Sequence, residues 1–542
     1  MDASQIIRYR QAHSQFNYYD SNKRGQQSGM NIKSGASSLI YKGHTLIQSG
    51  MSTPIIPIPC SVNDSIIAAM SLFLRWIATS NLGPTVTARY LYIWFMAASA
   101  SWNWVQVQGN LAGTQDGWNW NTRTLLYSAQ DIFVWMNHAM ADTFGLFFTG
   151  HSATYSIQSI LDQEAEMFGW TPVQQAVEVA KVRASGNWPG FWSAWSTWST
   201  GRFADGSVAA ATAQPTAVQV KNKNIQLETD NPTLPPFVDI SGWTPLKLPM
   251  KPSKQGYLTF NWDNVRSTGI ISETLDSVAD AYYIEGADRI SEINDVIQKT
   301  ADLNDATKIQ AEFWAGGPYT VTPPGMFAWF WKEYVRTTHF NTATVLFSGL
   351  ELAIHLFEES RLVWRNKARK VQARPIQVIR ILKHDVRIAS WDGDISGSLW
   401  MPYQEANFVT PPFGDYPSGH SGFSQGFANT MSAWFGNSLP TYQTTKTDLD
   451  LLSPVFLGTT LRDGPFGSIT FPARKSIIQT GVVPATPIPI SWNTWQDIAN
   501  SAGISRLYGG IHCLSAHTGS QAIANALHTQ LNNLWRFNRN GN

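Results

Sequence analysis

Charge is what this sequence has least of: Asp, Glu, Lys and Arg make up only 14% of its 542 residues, and 39 basic side chains face 38 acidic ones. A net charge of +1 gives no electrostatic footprint for nucleic acid or an anionic membrane surface. Cysteine is nearly absent, with only Cys60 and Cys513, which excludes a disulfide framework and a thiolate metal cluster; one bridge between them and two separate thiols remain equally open. No apolar run reaches the roughly 20 residues of a membrane span. The most apolar stretches, Ile66 to Ile77 and Tyr90 to Trp104, are shorter, and the first contains Arg75. The start of the chain places Tyr9 between Arg8 and Arg10 with no apolar run behind them, which predicts no signal peptide and a protein that is cytoplasmic or exported by an unmarked route.

Apolar residues, at 43%, and aromatics, at 13% with 24 Trp, are plentiful. A chain of this length buries a large core, and its aromatics serve both core packing and subunit contacts. With so little surface charge, a homo-oligomer is expected.

Residues 1–60 read as an irregular N-terminal arm, rich in Gly and Ser and punctuated by Pro54, Pro57 and Pro59; residues 61–542 form the body. Apolar positions recur at helical spacing in Ser65 to Ser80 and Val86 to Trp102, separated by Gly83-Pro84. Thr171-Pro172 opens a capped helix running to Ala184, with Gly186 beyond its end, and Thr300 to Trp314 reads as another helix before Gly316, Gly317 and Pro318. Short strands are expected at Thr216 to Val220 and Gly256 to Phe260. The fold class is all-α: two packed four-helix bundles, long loops and minor β elements.

Three segments carry groups suited to a compact anion. Within 364–375 lie Trp364, Lys367, Arg374 and Pro375, inside a span from Arg361 to Arg387 that holds nine cations. Arg offers a planar fork to oxyanions and Lys a mobile point charge, although a solvated helix face explains such a run as well. Within 413–422, Phe413-Gly414-Asp415-Tyr416-Pro417-Ser418-Gly419-His420 precedes Phe423, Phe427, Met431, Trp434 and Phe435 at helical spacing, ending at Gly436. Ser418 to His420 thus occupy a helix entrance, where free N–H groups and the dipole favour an anion, and His420 titrates near neutrality. A capped turn with a casual histidine is the plainer alternative. Within 505–517, Arg506 and His512 are six residues apart, so they converge only if the local helix is bent; an ordinary helix with one buried His is the alternative.

Taken in order, Lys367 with Arg374-Pro375, then Pro417-Ser418-Gly419-His420, then Ser505-Arg506 with His512 resemble the signature of the vanadium-dependent haloperoxidases and related acid phosphatases, over roughly residues 300 to 520. The resemblance implies one vanadate per subunit, its oxygens neutralised by Lys367, Arg374 and Arg506 and hydrogen-bonded by Ser418 and the Gly419 N–H. It makes His512 the metal ligand, or the nucleophile in the phosphatase branch, and His420 the acid–base group. The implied partners are hydrogen peroxide, halide and a small organic acceptor. Chain length and the segments Ala311-Glu312-Phe313-Trp314 and Thr322-Pro323-Pro324-Gly325 resemble the haloperoxidase branch, and Phe413 and Trp364 resemble the chloroperoxidase arrangement. Bromide is the expected halide and chloride the second candidate. An acid phosphatase on the same site, and a structural oligomer with a vestigial site, are the competing readings.

One position departs from the pattern. Related sequences carry Asp four residues after the metal-binding His, but Ala516 stands here with His517 following it. Another carboxylate, a backbone carbonyl or His517 is expected to orient His512 instead. Asp305 is the candidate partner for an arginine of the site.

Overall fold

The computed structural model describes residues 61–107, 128–147, 153–184, 192–193, 196, 211–231, 240–248, 253–271, 274–456 and 462–539. The expected arm at 1–60, with Cys60, and the expected helix stop at Gly186 lie outside these residues.

Helices dominate, as the spacing of apolar residues predicts. Five come first: α1 (Val62–Ser80), α2 (Pro84–Val107), α3 (Ala129–Phe147), α4 (Ala153–Phe168) and α5 (Pro172–Ala184). Among the described residues nine more follow, a short one at Asp276–Asp280 and then α6 (Gly286–Ala301), α7 (Asp305–Phe313), α8 (Thr322–Arg336), α9 (Thr342–Lys370), α10 (Pro375–Leu382), α11 (Gly419–Phe435), α12 (Trp495–Tyr508) and α13 (Leu514–Arg539). Helices α1, α2, α3 and α8 pack into one group, and α9, α11, α12 and α13 into a second. The 29-residue α9 also packs on α2 and so joins the two.

Local chemistry sets the ends. Asn341 caps α9, its side chain accepting from the Thr344 N–H at 2.8 Å, and Val371 closes the helix in the left-handed region at φ 46°. Thr171 caps α5, its hydroxyl accepting from the Gln174 N–H at 3.2 Å, just before Pro172. Ser418 caps α11, and the helix stops at Gly436, as its apolar spacing predicts.

Two expectations need correction. Thr300 to Trp314 is not one helix: α6 ends at Ala301 and α7 starts at Asp305, because Asn304 forms a reciprocal capping pair with Thr307. No strand forms at 216–220 or 256–260; the first is a turn leading into a 3-10 helix at Lys221–Asn224, and the second a loop. Among the described residues the strands make four two-stranded ribbons: β1 (Leu227–Glu228) parallel to β2 (Leu246–Lys247), and antiparallel pairs of β3 (Arg387–Ser390) with β4 (Gly393–Ser396), β5 (Gln443–Lys446) with β6 (Arg462–Pro465), and β7 (Ser468–Phe471) with β8 (Ile488–Ser491).

Tryptophan goes chiefly to the core. Trp94, Trp135, Trp314, Trp331, Trp364 and Trp495 are among the fully buried side chains, and Trp314 stacks on Phe327 and Phe330. No helix among the described residues is long and apolar enough to cross a membrane.

Within the second group α11 approaches α9 through glycine: a Cβ on Gly426 would lie 2.4 Å from His355 Nδ1, and one on Gly422 would lie 2.2 Å from Glu359 Oε1. Burial, reinforced by neighbouring His528, pushes the His355 pKa down to about 3. The unfolded chain binds this proton below about 6.5 and the folded chain only near 3, so the stability His355 contributes is complete above 6.5 and is lost as pH falls towards 3. The loss at full extent is on the order of a few kcal/mol. Thermal melting of His355→Leu should therefore show a shallower decline between these pH values than wild type, and an unchanged acid limb would remove His355 as its cause.

Candidate oxyanion site

Four helix ends meet at one place. Lys367 lies in the last turn of α9, and four residues beyond that helix Arg374 caps α10, with Pro375 at its first position. Ser418 and Gly419 open α11, and Arg506 lies in the last turn of α12. The third segment is thus not one continuous helix: α12 stops at Tyr508, and Gly510, at φ 69°, turns the chain so that His512 comes back towards Arg374.

The polar groups are dry and tightly placed. Lys367 is fully buried; its Nζ donates to the carbonyls of Gly414 (2.8 Å) and Asp415 (3.0 Å) and lies 4.9 Å from the centre of the Phe413 ring. Arg374 donates from Nε to Phe413 O at 2.7 Å and from Nη1 to Ile511 O at 2.8 Å and His512 Nε2 at 3.1 Å, while its buried Nη2 has no partner. Arg506 donates to Ala311 O at 2.9 Å and to Ser505 Oγ at 3.0 Å. His420 Nε2 is buried and unpartnered, and a Cβ on Gly316 would lie 3.3 Å from it.

Aromatic side chains wall the cluster. Trp364 and Phe413 are 4.9 Å apart between ring centres, and Trp364 donates from Nε1 to Leu258 O at 3.1 Å. The 256–260 loop therefore supports the site rather than forming a strand. Its Tyr257 hydroxyl accepts from the Gly414 N–H at 3.1 Å and donates to Lys367 O at 3.4 Å.

The run of nine cations divides between the two readings of it. Arg361, Arg365, Arg369 and Lys370 pair with Glu358, Asp276 and Asp280 on the outer side of α9, as a solvated face would. Lys367 and Arg374 turn inward.

The groups perturb one another as neighbours must. Burial, then Arg374, lowers the Lys367 pKa far below its usual value; burial and Arg374 also bring Arg506 down to about 9. Burial, Arg374 and Lys367 lower His512 to about 3, against the pull of Asp415. Burial, Arg506 and His512 together depress His420. Both imidazoles are therefore neutral at physiological pH.

The group that orients His512 is Asp415. Its Oδ1 lies 2.5 Å from His512 Nδ1, and its Oδ2 accepts from Arg289 Nη2, also at 2.5 Å. Burial pushes the Asp415 carboxyl up, but Arg289, His512 and Arg374 outweigh it and hold the group well below the usual carboxylate range. Of the alternatives left open at Ala516, another carboxylate is the one observed; His517 instead meets Ser421 Oγ at 2.9 Å. Asp305 does not pair with an arginine of the site: it accepts from the Ala485 N–H at 2.7 Å. Arg289 and Tyr257 carry no local sequence signal, since each acts on residues more than 100 positions away.

Cations buried this closely repel one another and have lost their water, so they fold together stably only around negative charge. The unpartnered Arg374 Nη2 and His420 Nε2, with the helix N-terminus at Ser418, suit an oxyanion that accepts from several directions. The class defined is a helical-bundle protein with a buried cluster of cations and imidazoles suited to an oxyanion.

Comparison with known proteins points the same way as the three motifs. Residues 346–537 match the model of the VCPO second helical-bundle domain. Among solved structures, the holo form of a bacterial vanadium-dependent chloroperoxidase superposes with a TM-score of 0.60 at 14% identity, covering 85% of this chain and 94% of that one. Its apo form gives 0.57 at 14% identity, covering 85% and 96%. A bacterial vanadium-dependent iodoperoxidase gives 0.55 at 18% identity, covering 88% and 97%. A search of curated proteins returns no match. These matches agree with the family expected from the three motifs: residues 346–537 are similar to its second helical-bundle domain, and the chain shares the fold of the solved vanadium-dependent haloperoxidases.

Filling the pocket with anion should stabilise the protein. Inorganic phosphate at about 100 times its Kd should add about 2.7 kcal/mol by mass action, read as a rise in Tm. Arg506→Ala should abolish most of that rise; an equal rise in the variant would place the anion elsewhere.

Proposed function

We propose that this protein is a vanadate-dependent haloperoxidase, oxidising bromide, with chloride as second halide, by hydrogen peroxide to a hypohalous-acid equivalent that halogenates a small organic acceptor. The observation that carries the proposal is the buried set of Lys367, Arg374 and Arg506 around two neutral imidazoles, with Asp415 the carboxylate hydrogen-bonded within it. The likeness to chloroperoxidase and iodoperoxidase structures supports it.

In this reading His512 Nε2 ligates the metal, and Lys367, Arg374 and Arg506 hold the oxygens. The Ser418 hydroxyl and Gly419 N–H complete the donor set. Vanadate, when bound, supplies a Lewis-acidic centre that activates peroxide without itself changing oxidation state. Overall, halide, peroxide and a proton give hypohalous acid and water: the halide loses two electrons and the peroxide O–O bond breaks. His420 Nε2, unpartnered and neutral, handles the proton. The Trp364 and Phe413 rings limit water beside Lys367, so that its ammonium, once an oxyanion stabilises the charged form, would act as an unscreened polarising charge. The low content of charge accords with a homo-oligomer.

Metal-stripped protein should halogenate a phenol-red-type dye with bromide and peroxide only after orthovanadate is added. His420→Ala should retain vanadate but lose about 10²- to 10⁴-fold in turnover, the usual contribution of a positioned acid–base group. His512→Ala should lose stable vanadate binding. Hydrolysis of a phenyl phosphate without vanadate, and no halogenation with it, would turn the assignment to an acid phosphatase; neither activity would leave the structural reading.

A further inference from the structure

The segments that carry the site are tied together by one helix outside the three motifs. From α6, Arg289 Nη2 reaches Ala373 O at 3.0 Å, beside Arg374, as well as Asp415. One turn later Glu292 accepts from both the Ser515 N–H and the Ser515 hydroxyl at 2.7 Å, three residues after His512. Two side chains of one helix thus touch all three motif segments.

We infer that Asp415 is the positioning residue of His512, and that Arg289 and Glu292 on α6 hold Asp415 and His512 in register with Arg374. The inference rests on the haloperoxidase reading for its functional consequence, but its structural core does not. An ionised Asp415 is an acceptor only, so the proton between it and His512 belongs to Nδ1. Arg374 Nη1 is a donor only, so Nε2, 3.1 Å away, carries a lone pair. Two neighbours on different segments therefore impose the same tautomer, with the lone pair facing the cations. Ala516 cannot do this, lacking a polar side chain, and its carbonyl is engaged by the Ser418 N–H at 2.8 Å. Arg289 in turn fixes the carboxylate, because its Nη2 donates both to Asp415 Oδ2 and to the Ala373 carbonyl. A lysine there keeps the charge but not the planar donor geometry that directs those two bonds.

The test uses the full, metal-free chain with ¹⁵N-labelled histidine, the His512 signals being identified by their loss in His512→Gln. Wild-type protein should show a single neutral tautomer of His512 protonated at Nδ1. Asp415→Asn, which can also offer an N–H to Nδ1, should show a mixed or reversed tautomer, and orthovanadate titrated by calorimetry should bind it about 10- to 100-fold more weakly, the usual effect of removing such a partner. Arg289→Lys should fall between the two. If Asp415→Asn fails to fold by thermal melting, Arg289→Gln carries the test, with the same two readouts expected to move. A folded variant that keeps both the wild-type tautomer and the wild-type affinity overturns the inference, as does an Nε2-protonated His512 in wild type. A wild-type protein with the Nδ1–H tautomer that takes up no vanadate upholds the positioning role and overturns the haloperoxidase reading instead.

Discussion

Asp415 sits in the protein interior between Arg289 and His512, with Arg374 and Lys367 close enough to feel its charge. A buried carboxylate of this kind is costly unless paired, and here several groups satisfy it at once. It also fails to balance them, since Lys367, Arg374 and Arg506 add three cations to Arg289. Burial first, and neighbouring cations after it, push the lysine and the two site arginines towards their neutral forms. The excess of cations over carboxylate is one that an oxyanion would satisfy.

Helix ends make this arrangement tolerable. Lys367 and Arg506 lie in the last turns of α9 and α12, where the helix dipole favours positive charge, while the Ser418 end of α11 presents free N–H groups to an anion. The left-handed residue Val371 and the glycine turn at Gly510 stop two helices and so bring side chains from α9, α10 and the loop after α12 into contact. The bundle behind them is rigidly packed, with Gly422 and Gly426 allowing α11 to lie directly against polar side chains of α9. A donor set held this way keeps its geometry because the helices cannot shift without clashes.

The sequence shows the parts of the site whose spacing is local. Lys367 and Arg374, Ser418 to His420, and Arg506 with His512 fall within three short segments, and Ser418 and Gly436 visibly mark the two ends of the helix that carries His420. What escapes sequence reading depends on distant partners. Asp415 stands in full view beside Tyr416-Pro417, yet its role depends on His512, 97 residues away, and Arg289, 126 away. The α6–α7 break is missed for a different reason: the apolar period continues through it, and only the side-chain pairing of Asn304 with Thr307 makes the stop. The short runs at 216–220 and 256–260 find no strand partners, and the second is used to brace Trp364 and Gly414.

Moving the orienting carboxylate from position 516 to position 415 changes more than its address. A carboxylate on α13 would belong to the same segment as His512 and could move with it. On the loop before α11, Asp415 shares a short stretch of backbone with Phe413, Ser418 and His420, and the carbonyls of Gly414 and Asp415 also accept from Lys367. The imidazole of the third segment is then registered against the second segment's helix N-terminus and the first segment's lysine by a single loop. Arg289 and Glu292 extend that registration to α6, which belongs to none of the motifs. Ala at 516 is therefore not evidence of a degraded site: a carboxylate meets His512 Nδ1 from position 415, on the loop that also engages Lys367.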